Sequence, residues 1–234
     1  MNTSTESLLE HGIRMDDRRE ARLGFDEAIY SAGKSTAQLD ALIADTLSSG
    51  GRRLFTRLGA DQFAALAPAR REACNYDATS RTAIVGRMHP DLRHHGIAVL
   101  TAGSSDMPVA GEAMRTLEYH GHACTHVPDV GVAGLWRLME RLEELRSMSV
   151  LIVVAGMEGA LVSVVGGLLQ GAVIALPTSV GYGVSQGGHV ALNSALASCA
   201  PGMLTVNIDN GYGAACAALR ILRHSIRRDS EVRT

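Results

Sequence analysis

From Gly96 onward the chain alternates short apolar runs with longer mixed segments. The runs "GIAVLTAG", "HACTHV", "SVLIVVAG", "AVIALP" and "MLTVNI" hardly alternate between apolar and polar positions. Strands covered on both faces read this way, whereas half-buried strands alternate with period two. Between the runs lie "MPVAGEAMRTLEYHG", "AGLWRLMERLEELR", "ALVSVVGGLLQG" and "GHVALNSALASC", each long enough for a helix. This β-α-β-α rhythm predicts right-handed crossovers and a doubly wound parallel sheet. In such sheets ligands bind at the loops leaving the carboxyl ends of the strands. Polar residues in those loops are therefore the first functional candidates.

The first third of the chain has a different texture, charged and less regular. "STAQLDALIADTLSSGG" predicts a helix begun by Ser35 or Thr36 and closed by Gly50-Gly51. "RRLFTRL" and "RTAIVGR" predict strands, with "GADQFAALAP" as a helix between them. The polar, proline-bearing "MHPDLRHHG" predicts a linker. The expected organisation is a smaller N-terminal α/β domain over residues 1–85, a linker over 86–95 and a larger α/β domain over 96–234.

Composition narrows the function classes. Hydrophobic residues make up 46% and aromatics only 4%, so the core rests on Ala, Val, Leu and Ile. Lys and Arg number 22 against 24 Asp and Glu, and no basic run is interleaved with aromatics. That balance disfavours nucleic acid. The N-terminus has no apolar signal core, and Gly, Glu or Gln breaks each long apolar stretch, so neither export nor a membrane span is expected. The four cysteines form no CxxC pair, which fits a reduced, cytoplasmic protein without a paired-thiol zinc site. None of the nine histidines shows a metal-ligand spacing, and the metal ligands are unknown at this level.

The strand-end loops carry the candidate chemistry. Gly103-Ser104-Ser105-Asp106 stands between a strand and a helix, with Pro108 early in that helix. Ser or Asp could cap the helix; alternatively, backbone N–H groups and hydroxyls could hold a phosphate, with Asp106 on a ribose hydroxyl or a metal. The Gly-Lys-Ser/Thr ending of a Walker loop is absent. Asp129 precedes a glycine-spaced helix start and reads as a cap. Thr178, Ser179 and Tyr182, in "ALPTSVGYG", suit close backbone approach to a ligand or simply a flexible loop. Asp209-Asn210-Gly211 repeats the design of the first loop, and the two together favour a ligand bearing phosphate and ribose.

Two residues remain. Glu158 is the only charged side chain between Ser149 and Thr178. A lone carboxylate in such surroundings must be solvated, paired or protonated. Cys199, in "ALASCAPGML", falls where a helix should stop at Pro201-Gly202, so its thiol could face a cavity. A free cysteine is usually an inert core residue, the default for Cys74, Cys124 and Cys216.

"TAGSSD", "DVGVAGL", "VVAGMEGAL", "PTSVGYG", "SCAPG" and "VNIDNGYGAA" resemble the LarB family, in the same order, and "SAGKSTAQLDALIADTL" is similar to that family's first domain. The C-terminal half also resembles AIR carboxylase, which implies a flavodoxin-like core. The resemblance implies a carboxylase/hydrolase acting on nicotinic acid adenine dinucleotide. With CO2 or bicarbonate as co-substrate it would give pyridinium-3,5-biscarboxylic acid mononucleotide and AMP, the first step of nickel-pincer cofactor synthesis. It further implies Cys199 as covalent catalyst and Glu158 as general base. Substrate contacts would come from Ser104, Ser105, Asp106, Asp129, Gly156, Met157, Thr178, Ser179, Tyr182, Asp209, Asn210 and Gly211. Magnesium would accompany the pyrophosphate, and the protein would form a homo-oligomer, an octamer by resemblance. Ala197 stands where the family pattern has asparagine. The alternatives are an AIR carboxylase-like enzyme acting on an aminoimidazole ribonucleotide and a non-catalytic nucleotide-binding regulator, which would need neither Cys199 nor Glu158.

Overall fold

The computed structural model describes residues 8–16 and 18–231, with side chains described to residue 223. The chain divides after Pro90 into two compact units.

After a helical stretch at 8–10, the first unit has a short helix, α1 (Arg19–Leu23), and strand β1 (Ile29–Tyr30), followed by α2 (Thr36–Ser48) and β2 (Arg53–Thr56). Then come α3 (Ala60–Ala65), α4 (Pro68–Glu72), β3 (Cys74–Asp77) and β4 (Thr82–Val85). The strands form a sheet in the order β1-β2-β4-β3, parallel only between β1 and β2. Helix α2 starts where its sequence directs. Ser35 Oγ accepts the Gln38 N–H at 3.2 Å, and Gln38 Oε1 accepts the Ser35 N–H at 3.1 Å. Such a reciprocal cap is worth about 1 kcal/mol. Leu39, Leu42, Ile43 and Thr46 recur at helical spacing and are buried. The three apolar ones pack with Phe55, Ala83 and Val85 of the sheet. Strand β3, "CNYD", pairs antiparallel with β4, and its Cys74 and Tyr76, two residues apart, pack on the core, where the Tyr76 ring stacks on Phe63 at 4.0 Å.

The second unit holds five strands: β5 (Arg93–Thr101), β6 (His122–Val127), β7 (Val150–Ala155), β8 (Ala172–Pro177) and β9 (Leu204–Thr205). They are all parallel, in the order β6-β5-β7-β8-β9. Every residue of the central strand β7 is buried, which is why its sequence does not alternate. Helices α5 (Met107–Tyr119) and α10 (Gly211–Glu231) pack together: a Cβ added at Gly211 would lie 2.5 Å from the Val109 carbonyl oxygen. On the other face, Leu138, Leu145, Leu161 and Val165 cover Ala98, Leu100, Leu151, Val153, Val173 and Ala175.

Several boundaries depart from the sequence pattern. Arg93, His94 and His95, expected in a linker, belong to β5, because β6 pairs with them at His122 and Ala123. "AGLWRLMERLEELR" is not one helix but a turn at Val132–Gly134 followed by α6 (Trp136–Met139) and α7 (Leu142–Leu145). The chain tightens at Arg141, whose N–H bonds the Leu138 carbonyl three residues back. Leu138 and Leu145 are buried on either side of that break. "MLTVNI" pairs only at Leu204 and Thr205, as an edge strand with β8 as its one neighbour. Helices α8 (Ala160–Leu168) and α9 (His189–Leu196) complete the layer.

The chain passes from β5 to β6 on one side of the sheet and then to β7 on the other. This is the topological switch point, where doubly wound sheets open a crevice for ligands. The loops after β5 and β7 flank it.

Candidate active site

The loop after β5 is organised by one buried carboxylate. Asp106 is 3% exposed and does not cap α5. Its Oδ2 accepts the Gly103 N–H at 2.9 Å, and its Oδ1 accepts the Thr178 hydroxyl at 2.7 Å. The Gly156 N–H also donates to it, and Asp209 lies close enough to act on it electrostatically. Burial pushes its carboxyl above the usual range, partly opposed by those donors. Asp106 thus ties the ends of β5, β7 and β8 together. Asparagine at this position offers one acceptor oxygen where donors converge on two. We expect Asp106→Asn to lose roughly 2–3 kcal/mol, read as a lower urea midpoint; an unchanged midpoint would show that the tie carries no stability.

The neighbouring backbone is closely fitted. A Cβ added at Gly156 would collide with the Val180 carbonyl oxygen and lie 2.6 Å from Thr178 Oγ1, so only glycine fits. Met157 has φ +52° and is held there by its N–H to Val180 O at 2.7 Å. Asp129 at +55° and Asp209 at +57° are likewise left-handed. In the second unit the three non-glycine residues in this uncommon conformation lie at the carboxyl end of the sheet, one each beyond β6, β7 and β9; Arg57 and Arg81 adopt it in the first unit.

The other candidates fall into two groups. Ser179 donates its N–H to Asp209 Oδ1 at 2.7 Å, so Thr178, Ser179, Asp106, Gly156, Met157 and Asp209 come together at one end of the sheet. Ser104 and Ser105 are exposed beside them, and their N–H groups meet no acceptor among the described residues. The start of α10 is different. The Tyr212 N–H donates to Glu112 Oε1 at 3.0 Å and the Gly213 N–H to Asn210 Oδ1 at 2.8 Å. Asn210 is therefore a helix cap, and Gly211 a contact point with α5. Asp129 pairs with Arg137 rather than capping a helix, while its N–H donates to Thr101 Oγ1 at 3.1 Å. Tyr182 is 77% exposed.

Glu158 and Cys199 stand outside that cluster. Glu158 follows β7 immediately before α8, and it is exposed, not partly buried. Solvation thus answers how a lone charge survives in this segment, and a carboxylate is favourable near a helix N-terminus. Of the four cysteines Cys199 alone is exposed. It lines a groove of about 480 Å³ with Leu196, Ser198, Pro201 and Leu204. Burial pushes the Cys74 and Cys124 thiols up to about 11, which leaves both protonated at neutral pH. No hydrogen bond joins Glu158 to Cys199 among the described residues. They are connected through α8: Ser163, one turn in, lies 2.7 Å from Ser198, hydroxyl to hydroxyl. Ser163 and Glu112 had no signal in the sequence; Thr101 and Ser198 open the "TAGSSD" and "SCAPG" segments, but nothing there revealed their distant partners.

Residues 9–87 match the LarB/PurE-like N-terminal domain, and residues 96–232 match AIR carboxylase. The chain belongs to the LarB family. This pairing of domains gives LarB proteins a carboxylase-type role. The chain is 35% identical over 213 residues to Uncharacterized protein MJ0165 of Methanocaldococcus jannaschii, spanning 88% of this chain and 82% of that protein. Among solved structures it is similar to Treponema denticola PurE, at 22% identity over 60% of this chain and 92% of that one, TM-score 0.47. A variant of PurE2 from the same organism matches at 23% identity over 58% and 89% of the two chains, TM-score 0.45. No described helix of this LarB chain is long and apolar enough to cross a membrane.

Proposed function

We propose that this LarB protein carboxylates the pyridinium ring of nicotinic acid adenine dinucleotide and hydrolyses its phosphoanhydride. The products are pyridinium-3,5-biscarboxylic acid mononucleotide and AMP, the first step of nickel-pincer cofactor synthesis. One observation carries the reading: the only exposed cysteine is tied, through Ser198 and Ser163, to the helix that the segment's lone carboxylate precedes.

A pyridinium ring is electron-poor and cannot attack CO2. Addition of the Cys199 thiolate to a ring carbon forms a C–S bond and turns the ring into a neutral, enamine-like dihydropyridine. Its nucleophilic carbon then forms a C–C bond to CO2. Glu158 takes the proton from that carbon, the C–S electron pair leaves with sulfur, and aromaticity returns. The cationic ring itself favours a thiolate beside it. Water then cleaves the phosphoanhydride. The open N–H groups of Ser104 and Ser105 support holding the pyrophosphate at that turn. The start of α10, already satisfied internally, is better suited to shaping the pocket.

Among the described residues, no three His, Cys, Asp or Glu side chains could hold a metal ion. Magnesium bound largely by phosphate oxygens needs only one or two carboxylates, and half-exposed Asp209 fits that part. Bound there, it would offset pyrophosphate charge. Val184, at 92% exposure, and Leu196, at 67%, support a homo-oligomer that covers them, an octamer by family resemblance. Light scattering is expected to give eight chains per particle; a monomer contradicts this part.

The test of substrate is direct. With bicarbonate and magnesium, nicotinic acid adenine dinucleotide is expected to be consumed with release of AMP, and aminoimidazole ribonucleotide to remain. Turnover of the ribonucleotide instead would favour the AIR carboxylase reading, and binding without turnover would favour a regulator.

A further inference from the structure

The turn that carries Cys199 has little of its own to hold it. Helix α9 ends at Leu196, and the Ala197 N–H makes the last helical bond, to the Asn193 carbonyl. From Ser198 to Gly202 no backbone N–H is bonded to a backbone carbonyl among the described residues. Two side-chain contacts replace that missing ladder. Ser198 Oγ accepts the Ala200 N–H at 3.3 Å, which closes the turn around Cys199. The same oxygen lies 2.7 Å from Ser163 Oγ, on the fourth residue of α8. A hydroxyl can accept two hydrogen bonds and donate one, so Ser198 serves both contacts at once.

The fit continues along the same face of α8. Gly166, three residues beyond Ser163, faces the turn: an added Cβ would lie 2.7 Å from Met203 Sδ and 3.0 Å from Ala200 Cβ. The turn is therefore seated on α8 by a polar contact at Ser163 and a close packing contact at Gly166. Helix α8 begins just after Glu158, so the element that places the carboxylate also seats the thiol.

We infer that Ser163 is a positioning residue for Cys199, acting through the hydroxyl of Ser198. The inference rests on the reading of Cys199 as the covalent catalyst. The C–S bond forms only if sulfur meets one ring carbon at attacking distance, and a misplacement of about 1 Å can lower a rate 100-fold. Without the Ser163 hydroxyl, Ser198 retains only its local bond to Ala200, and the sulfur samples more positions.

In the full-length protein, Ser163→Ala is expected to lower kcat for carboxylation roughly 10- to 100-fold, with little change in KM for the dinucleotide. Ser163→Thr keeps a hydroxyl and is expected to restore most of the rate. Ser198→Ala also loses the bond from the Ala200 N–H, so it should be at least as slow as Ser163→Ala, and the double variant should be no slower than Ser198→Ala, because the contact between the two segments is already gone. A rate equal to wild type in Ser163→Ala, with Cys199→Ser inactive, overturns the positioning role and leaves the catalytic cysteine standing. If Cys199→Ser remains active, the catalytic reading falls and the inference falls with it. Alkylation of Cys199 by iodoacetamide then tests the seat alone: an altered rate in Ser163→Ala shows that the contact constrains the thiol, and an unchanged rate overturns even that. Should Ser163→Ala fail to fold, Ser198→Ala and Ser163→Thr carry the same comparison.

Discussion

Cys199→Ser is expected to lose carboxylation by a factor on the order of 10³ or more, the scale seen when a covalent nucleophile is removed. Serine keeps the size of the side chain, but its hydroxyl stays protonated and adds poorly to a pyridinium ring. Without addition the ring never becomes an enamine, and CO2 meets no nucleophile. Because Cys199 is exposed, the exchange removes no core contact, and the melting temperature should stay near wild type. Mass spectrometry of the quenched wild-type enzyme should find the substrate attached to protein, and that of Cys199→Ser should not. Turnover close to wild type in the serine variant would mean the reaction proceeds without a covalent step.

Glu158→Gln should lower carboxylation by roughly 10²- to 10⁴-fold, for a different reason. The carboxamide has the same shape but cannot take the proton that must leave the newly carboxylated carbon. Addition and attack on CO2 both precede that step, so the covalent adduct should accumulate rather than vanish. The two variants are thereby distinguishable: loss of adduct in Cys199→Ser, build-up of carboxylated adduct in Glu158→Gln. Glu158 is exposed and makes no ion pair among the described residues, so stability should hardly change. Normal turnover in Glu158→Gln would assign the proton transfer to another group.

The sheet was legible because its strands are buried on both faces. "SVLIVVAG" could be little else once every residue of β7 had to avoid water. The capped helix α2 was legible for a local reason, since Ser35 and Gln38 satisfy each other without distant partners. Strand β3 was hidden, because four residues are too few for the alternation of Cys74 and Tyr76 to stand out before β4 pairs with them. The split of α6 from α7 was hidden too, for helical periodicity does not reveal a turn tightened by one hydrogen bond.

The candidate site divides along the same line. The positions of Glu158 and Cys199 at the ends of regular elements could be read from pattern. The fate of Asp106 could not: its sequence suggests a cap or a ligand contact, and its burial against Thr178, seventy-two residues away, makes it the knot of the strand ends. Ser163 and Ser198 are thirty-five residues apart and nothing in the sequence pairs them, yet they join the two halves of the proposed chemistry. Long-range polar pairs of this kind emerge only from the fold.

The most direct measurement supplies wild-type protein with nicotinic acid adenine dinucleotide, magnesium and isotopically labelled bicarbonate, and weighs the products. The expected result is AMP together with a pyridinium mononucleotide that carries one labelled carboxyl group. Release of AMP with no label in the mononucleotide, or no consumption of the dinucleotide at all, would contradict ring carboxylation by this protein.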